Sequence, residues 1–140
     1  SDVKVLLAEP SYLDEIAQIH QQAFSDAEET LEASRRYITE ALKDSDGLLY
    51  ILLKEAQVIG VCTVDLSGNN NYLYGLAVAE AYRGRGYGSY LAKSVVNQLI
   101  AQNDKFFQIA VEDSNVVAKR LYQKIGFVKQ TQAVYLNRKE

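Results

Sequence analysis

Methionine and tryptophan are absent from this 140-residue chain, which contains one cysteine, one histidine and one proline. With Cys62 alone, no intramolecular disulfide can form, and we expect a reducing, cytoplasmic setting. The first 25 residues hold no charged segment followed by an apolar run, so no secretory signal peptide is visible. The longest near-apolar stretch, Gly47 to Leu53, is far too short to span a bilayer, and we expect no membrane partner.

The overall charge is slightly acidic, with a formal net charge of −3 and a sequence pI near 5.2. This balance argues against a general nucleic-acid binder, because phosphate backbones need basic surface. The spacing of His, Cys, Asp and Glu matches no metal site, so we expect no metal. Residues 1–140 are expected to form one domain. Because even the first residue is not methionine, both a removed tag and excision from a longer chain stay open.

Hydrophobic periodicity predicts a mixed α/β domain with the order β-α-α-β-β-β-α-β-α-β. The segment Tyr72–Val111 is predicted to form a βαβ unit, and Glu55–Gln57 is predicted to link two strands of a hairpin. Strands are predicted at Val3–Leu7, Leu48–Lys54, Val58–Leu66, Tyr72–Val78 and Phe106–Val111, with one or two more within Phe127–Leu136. Helices are predicted after Pro10, over Glu29–Lys43, after Arg83–Gly88 and over Val116–Ile125.

Three glycines within five residues, Gly84, Gly86 and Gly88, separate a predicted strand from a predicted helix. Without Cβ atoms, a ligand's phosphates can approach the backbone, and the helix start offers unpaired N–H groups. Arg83 and Arg85 add positive charge, so the run predicts a pyrophosphate site, with a plain tight turn as the alternative. It lacks the third glycine of the dinucleotide pattern and the Gly-Lys-Ser/Thr ending of a nucleoside-triphosphate loop.

The run Leu76–Ser89 resembles the coenzyme A motif of the GNAT superfamily of N-acetyltransferases. The core of that motif is Arg or Gln, two residues, Gly, one residue, then Gly or Ala, which here is Arg83, Gly86 and Gly88. A second family motif follows at the family's usual separation, and the predicted element order fits from Val3 to Leu136. This second motif comprises Asn115, Ala118, Leu121, Tyr122, Gly126 and Phe127.

The resemblance implies a single GNAT-like domain with a mixed, mostly antiparallel sheet of six or seven strands, flanked by about four helices. It also implies that the sheet is splayed between the fourth and fifth strands, with a bulge in the fourth strand at Leu76–Val78. The implied cosubstrate is acetyl-CoA, with its pantetheine arm in the opening between those strands. The expected reaction is transfer of the acetyl group to a primary amine of a small molecule or peptide by direct attack.

The resemblance further implies roles for individual residues. An N–H near Val78 would stabilise the negative charge on the thioester oxygen, and the phenol of Tyr122 would protonate the departing thiolate. Tyr122 as a core residue and Asn115 as a helix N-cap are the structural alternatives. The residues implied to bind acetyl-CoA are Leu76, Ala77, Val78, Arg83, Gly84, Arg85, Gly86, Tyr87, Gly88, Ser89, Asn115, Ala118 and Tyr122.

The sequence departs from the family at the residue that accepts the amine proton. Many members carry a glutamate on the fourth strand, where this chain has Tyr72, and no carboxylate lies between Asn71 and Ala79. The base therefore stays unassigned, and an amine that arrives neutral is an alternative. Four acids are candidates for a base that acts through a water molecule: Asp65, Glu80, Glu112 and Asp113. The alternative for each is a solvated surface acid. His20 and Cys62 are expected to have packing roles.

The acceptor amine and the oligomeric state are not readable from the sequence. Phe24–Leu31 carries Asp26, Glu28 and Glu29, which would suit a cationic amine or a solvated helix start. Two alternatives to an active enzyme remain. One is a non-catalytic acetyl-CoA-binding or regulatory domain of the same fold. The other is a phosphate or RNA module, which the acidic charge disfavours. Monomer and homodimer both stay open.

Overall fold

The computed structural model describes residues 2–23 and 30–110, residues 120 and 123, and the backbone of 127–130 and 133–136. The predicted fourth helix, residues 116–125, lies outside this part except for Arg120 and Gln123. Short 3-10 turns cover Pro10–Tyr12 and Glu80–Tyr82. The helices described are α1 (Leu13–Ala23), α2 (Leu31–Lys43) and α3 (Tyr87–Ile100). The strands are β1 (Val3–Leu7), β2 (Gly47–Lys54), β3 (Gln57–Asp65), β4 (Asn70–Val78), β5 (Phe106–Ala110), β6 (Phe127–Gln130) and β7 (Ala133–Leu136).

One sheet joins these strands in the order β1-β2-β3-β4-β5-β7-β6. The pairing of β4 with β5 is parallel, whereas the other neighbours are antiparallel. A parallel pair needs a crossover, and α3 supplies it between β4 and β5. The mixed sheet and the βαβ unit predicted from hydrophobic periodicity are therefore confirmed.

The helices cover both faces of the sheet, so there are two apolar layers. On one face Leu91, Val95 and Leu99 of α3 pack against β2, β3, β4 and β5, and on the other face α1 and α2 pack against β2 and β3. Tyr90 and Ile100 of α3, although apolar, are 43% and 48% exposed. With 3.6 residues per turn, positions four apart share the buried stripe, and these two lie on its flanks.

Two element boundaries differ from the prediction for local reasons. Helix α2 begins at Leu31 instead of Glu29, because the Oγ1 of Thr30 accepts the N–H of Ala33 at 3.0 Å and caps the helix. The β2–β3 turn contains two residues, with φ of 51° at Glu55 and 68° at Ala56. Hairpin turns of this length favour positive φ, which Asn-Gly would have signalled and Glu-Ala does not.

Strand β4 contains a bulge opposite β3. Val61 pairs with Ala77 and Thr63 with Tyr74, so one β3 residue faces two on β4, Gly75 and Leu76. Gly75 adopts the left-handed φ of +64°, which glycine tolerates best. The bulge predicted at Leu76–Val78 therefore begins one residue earlier, because its first position requires a backbone that other residues rarely adopt.

Candidate active site

The described pairing of β4 with β5 ends before the bulge. Their parallel pairing covers Asn70–Leu73 of β4 and Phe106–Ile109 of β5 and goes no further within the described residues. Beyond that point, Ala110 of β5 still pairs with Ala133 of β7, whereas Tyr74–Val78 pairs only with β3. The half of β4 after the bulge therefore has no strand partner on its β5 side within the described residues, at the place where the resemblance implied a splayed sheet.

The extra residue also reverses the face of the sheet to which each later side chain of β4 points. Side chains alternate along a strand, so a residue inserted at Gly75 moves every later side chain to the opposite face. Leu73 and Leu76 consequently both pack into the α3-side core, and Ala77 packs on the α1 side. The Cγ2 of Val78 lies 3.6 Å from the Cβ position of Gly88, so the end of β4 contacts the first turn of α3.

The peptide groups of Val78 are directed towards the cleft side of β4. The N–H of Ala79 donates to the carbonyl of Ile59 at 2.8 Å. Hydrogen-bonded and non-hydrogen-bonded pairs alternate along an antiparallel ladder, so Val78 and its partner Gly60 form a non-hydrogen-bonded pair. The Val78 carbonyl indeed accepts a bond from the Nε of Arg83 at 2.9 Å instead of one from β3. The N–H of Val78 is thus directed away from β3.

The glycine-rich turn gives α3 an open N-terminus. Gly84 and Gly86 have φ of +76° and +86°, and no heavy atom lies within 4 Å of a Cβ at either position. Gly86 is the N-cap and provides no side-chain cap. The first helical bond runs from the N–H of Tyr90 to the carbonyl of Gly86 at 3.0 Å. The amides of Tyr87–Ser89 precede that bond and have no acceptor within the helix, which makes the turn suited to an anion.

Two arginines flank this turn in different ways. Both side chains are exposed. Both residues directly precede α3, where the sequence predicted positive charge. Arg83 also fastens the turn to β4 through its bond to Val78. The guanidinium of Arg85 lies 5.8 Å from the ring centre of Tyr82, and that ring meets Tyr87 edge to face at 6.1 Å. These contacts connect the turn to the end of β4 and to the 3-10 turn at Glu80–Tyr82.

Several predicted residues lie outside the described part of the chain. Among the residues implied to bind acetyl-CoA or to act as acid, these are Asn115, Ala118 and Tyr122. Of the candidate bases, Glu112 and Asp113 lie there too, as do the acidic residues Asp26, Glu28 and Glu29. Their roles stay predictions.

The candidate bases that are described have different surroundings. The Oδ1 of Asp65 accepts the N–H of Ser67 at 2.9 Å and its hydroxyl at 2.7 Å, and these bonds hold the pKa of Asp65 below its ordinary value. Glu80 lines a cleft of about 500 Å³ between α1 and the ends of β3 and β4. His20 is buried, lies 3.1 Å from the Oγ of Ser34 and stacks on Tyr37 at 4.7 Å. That environment accords with the predicted packing role.

Cys62 lies in the core, as its position mid-strand predicted. It is completely buried, and burial raises the pKa of its thiol to about 12. A thiol with such a pKa is almost fully protonated at neutral pH and is a poor nucleophile. The structure therefore gives no support to an acyl-cysteine step.

The sequence did not predict an aromatic surface beside the bulge. The rings of Tyr72 and Tyr74 stack at 5.6 Å with an interplanar angle of 20°. Burial, the phenol of Tyr37 and the carboxylates of Asp65 and Asp44 raise the pKa of Tyr74 to about 12. The spacing of two residues along a strand was the available signal, because it places both rings on one face.

A sheet splayed at a β4 bulge, beside a glycine-rich helix start, is the architecture of the N-acetyltransferase class. The family model described as the acetyltransferase (GNAT) family matches residues 13–127, and the chain belongs to this family. Within the described residues, no helix has the length and apolarity to cross a membrane.

Individual known proteins are also similar to the chain. The chain is 29% identical over 89 residues to the ribosomal protein bS18-alanine N-acetyltransferase of Haemophilus ducreyi, a match covering 61% of each chain. In fold it is similar to a transcriptional regulator from Bacillus halodurans, with a TM-score of 0.79, 19% identity and 99% and 98% coverage. It is also similar to the PaiA N-acetyltransferase of Thermoplasma acidophilum in complex with coenzyme A, with a TM-score of 0.75, 13% identity and 96% and 97% coverage.

Proposed function

We propose that the chain is an N-acetyltransferase that moves the acetyl group of acetyl-CoA to a primary amine of a small molecule or peptide by direct attack. The observation that carries this proposal is the Gly75 bulge, after which the described part of β4 pairs only with β3, together with the open start of α3 that the end of β4 contacts. Membership of the acetyltransferase family supports it.

The described residues suit the cosubstrate. The pyrophosphate would lie over Gly84–Ser89, where nothing occupies the Cβ positions of Gly84 and Gly86 and first-turn amides are unpaired in the helix. The pantetheine arm, which carries amides, would lie along Leu76–Val78, where β4 has no neighbour on the cleft side in the described part of the chain. When bound, acetyl-CoA supplies the activated acetyl thioester. Asn115 and Ala118 are proposed to line the arm from the following helix.

Two groups are proposed to act on the reacting atoms. The N–H of Val78, directed away from β3, would donate to the thioester oxygen as that oxygen gains negative charge. The phenol of Tyr122 would give its proton to the departing thiolate. In this proposal the oxyanion donor belongs to β4, and the acid belongs to the predicted helix of residues 116–125.

The amine proton is proposed to leave without a dedicated carboxylate base on β4. Tyr74, with a pKa of about 12, stays protonated at neutral pH, and Asp65, with a lowered pKa, is a weak acceptor of protons. We therefore propose that the acceptor reacts as the neutral amine, in equilibrium with solvent. The Haemophilus ducreyi relative makes the N-terminus of a peptide one candidate acceptor.

A second candidate function is a non-catalytic acetyl-CoA-binding or regulatory domain. The observation that favours it is Tyr72 at the position of the usual glutamate. The Bacillus halodurans neighbour, described as a transcriptional regulator, gives a precedent for the fold. The chain covers only 61% of the length of the Haemophilus ducreyi relative, so the activity of that whole protein is not carried over.

The first test is calorimetric titration of the purified chain with acetyl-CoA. We expect saturable binding close to one molecule per chain, competed by free CoA. Absence of binding would contradict both the enzyme and the non-catalytic binding domain, because each needs the same coenzyme site.

A further inference from the structure

The backbone carbonyl at the end of β4 is bonded to a side chain. Buried and strand-end carbonyls usually accept from a neighbouring strand or from water, but the carbonyl of Val78 accepts the Nε–H of Arg83 at 2.9 Å. Arg83 lies five residues later and caps the 3-10 turn Glu80–Tyr82. The bond therefore closes a short loop that begins at the last residue of β4 and ends at the glycine-rich turn.

This bond lies on the side of β4 that faces away from β3. Val78 and Gly60 form a non-hydrogen-bonded pair, so the N–H and the carbonyl of Val78 both point to that side. No strand pairs with Val78 there within the described residues. The two groups lie side by side in an extended residue. A group that accepts from the Val78 N–H is therefore within about 5 Å of the Arg83 Nε.

The bond has two consequences for an oxygen bound at the Val78 N–H. The peptide group that follows Val78 is held from both sides, since its carbonyl accepts from Arg83 and its N–H, that of Ala79, donates to Ile59 at 2.8 Å. An uncovered carbonyl would also repel a neighbouring oxygen that gains negative charge. The guanidinium of Arg83 replaces that repulsion with positive charge.

The second arginine of the turn has different surroundings. Arg85 lies between Gly84 and Gly86, and Gly86 is the N-cap of α3. Its guanidinium carbon is 5.8 Å from the centre of the exposed side of the Tyr82 ring system. The charge of Arg85 therefore stands at the helix start, where an anion is favoured, whereas the Nε of Arg83 is bonded to β4.

We propose that Arg83 is a positioning residue that acts on the acetyl thioester through Val78, and that its bond to β4 matters more than its charge. Because Arg83 covers the Val78 carbonyl, the end of β4 presents only the Val78 N–H to the thioester oxygen. Arg85 supplies the charge for the phosphate groups. This inference rests on the proposed acetyltransferase function, and it gives different roles to two arginines of one motif.

Two substitutions at position 83 separate the hydrogen bond from the charge. Arg83→Gln removes the charge but keeps an N–H donor, because the Nε2 of glutamine is as many bonds from the backbone as the Nε of arginine. Arg83→Met removes both. Each variant would be saturated with acetyl-CoA that carries an isotopic label in the acetyl carbonyl, with no amine present, and the infrared stretch of that carbonyl would be recorded.

We expect the carbonyl band of Arg83→Gln to coincide with that of the unmodified chain. The band of Arg83→Met should move to higher wavenumber, because a weaker hydrogen bond from Val78 polarises the carbonyl less. Arg36→Met, which removes an exposed arginine from α2, is the matched control and should leave the band in place.

Calorimetry and nuclear magnetic resonance give two further readouts. The affinity of Arg83→Gln for acetyl-CoA should stay within about threefold of that of the unmodified chain. The affinity of Arg85→Gln should fall about tenfold, the effect of one charge-assisted hydrogen bond. In the unmodified chain without acetyl-CoA, the Nε–H of Arg83 should exchange with water about tenfold more slowly than that of Arg85.

Each contrary result identifies which claim fails. An unchanged carbonyl band in Arg83→Met, or fast exchange of the Arg83 Nε–H, would overturn the positioning role and leave the acetyltransferase function standing. If Arg83→Gln loses as much affinity as Arg85→Gln, Arg83 is a phosphate ligand instead. Absence of acetyl-CoA binding by the unmodified chain would overturn the proposed function and this inference with it. Thermal melting checks that each variant is folded, and the exchange measurement needs no variant.

Discussion

A charge placed at the start of α3 would test the pyrophosphate site by a route that can be worked out from the structure. Gly86 has a φ of +86°, so any L-residue there is strained by about 1–2 kcal/mol, although nothing lies within 4 Å of its Cβ position. Gly86→Ala and Gly86→Glu should therefore both fold, with a melting temperature lower by about 3–6 °C. Only Gly86→Glu also brings a carboxylate to the proposed phosphate position.

The effect of that charge on binding is large. Two unit charges about 5 Å apart at an effective dielectric constant of about 20 repel by about 3 kcal/mol, which corresponds to about 100-fold in affinity. Calorimetry should show acetyl-CoA binding at least 100-fold weaker for Gly86→Glu than for Gly86→Ala, at equal ionic strength. If the two variants bind within threefold of each other, the pyrophosphate does not lie over the start of α3.

Four further predictions concern the bulge, the acid, the buried thiol and the amine proton. Gly75→Ala should weaken acetyl-CoA binding by calorimetry because φ at Gly75 is +64°, whereas Gly68→Ala, at a position with no heavy atom within 4 Å of its Cβ, should not; equal losses of affinity would show that the bulge is not needed for binding. Tyr122→Phe should lower kcat at least tenfold with little change in acetyl-CoA affinity, and an unchanged kcat would return Tyr122 to a packing role. Cys62, with a pKa of about 12, should resist iodoacetamide at pH 8 by mass spectrometry until the chain unfolds, and fast labelling would refute its burial. The amine kcat/KM should rise with pH towards the amine pKa of about 10, since Tyr74 stays protonated over that range; a plateau from about pH 7 would reveal a base.

The order of strands and helices was predictable because alternation and helical spacing are local properties of the sequence. The glycine-rich helix start was also visible, since three glycines at alternate positions separate a strand pattern from a helical pattern, with a plain tight turn as the alternative interpretation. The exact ends of the helices and strands were harder to predict. Helix α2 is capped by Thr30, and the β2–β3 turn uses residues that rarely take positive φ. The Thr30 cap is a local signal, since threonine is a preferred N-cap residue. Only in the β2–β3 turn did the surrounding structure outweigh local preference.

The site was predicted only where residues close in sequence form it. The bulge position depends on the register of β4 against β3, which the sequence of β4 alone does not specify, although Gly75 within a strand was an unused signal. The bond from Arg83 to Val78 and the pairing of Tyr72 with Asp65 and Gln108 join separate elements. Such contacts follow from the fold and could not be inferred before it.

The measurement that tests the central claim most directly is acetyl transfer itself. Purified chain would be incubated with acetyl-CoA and a panel of diamines, monoamines and short peptides, with free thiol and acetylated product quantified together. We predict equimolar release of thiol and formation of an acetylated amine, at a rate that depends on the chain and is lost in Gly86→Glu. Binding of acetyl-CoA with no acetylated product from any amine class would contradict the enzymatic account and favour a non-catalytic binding domain.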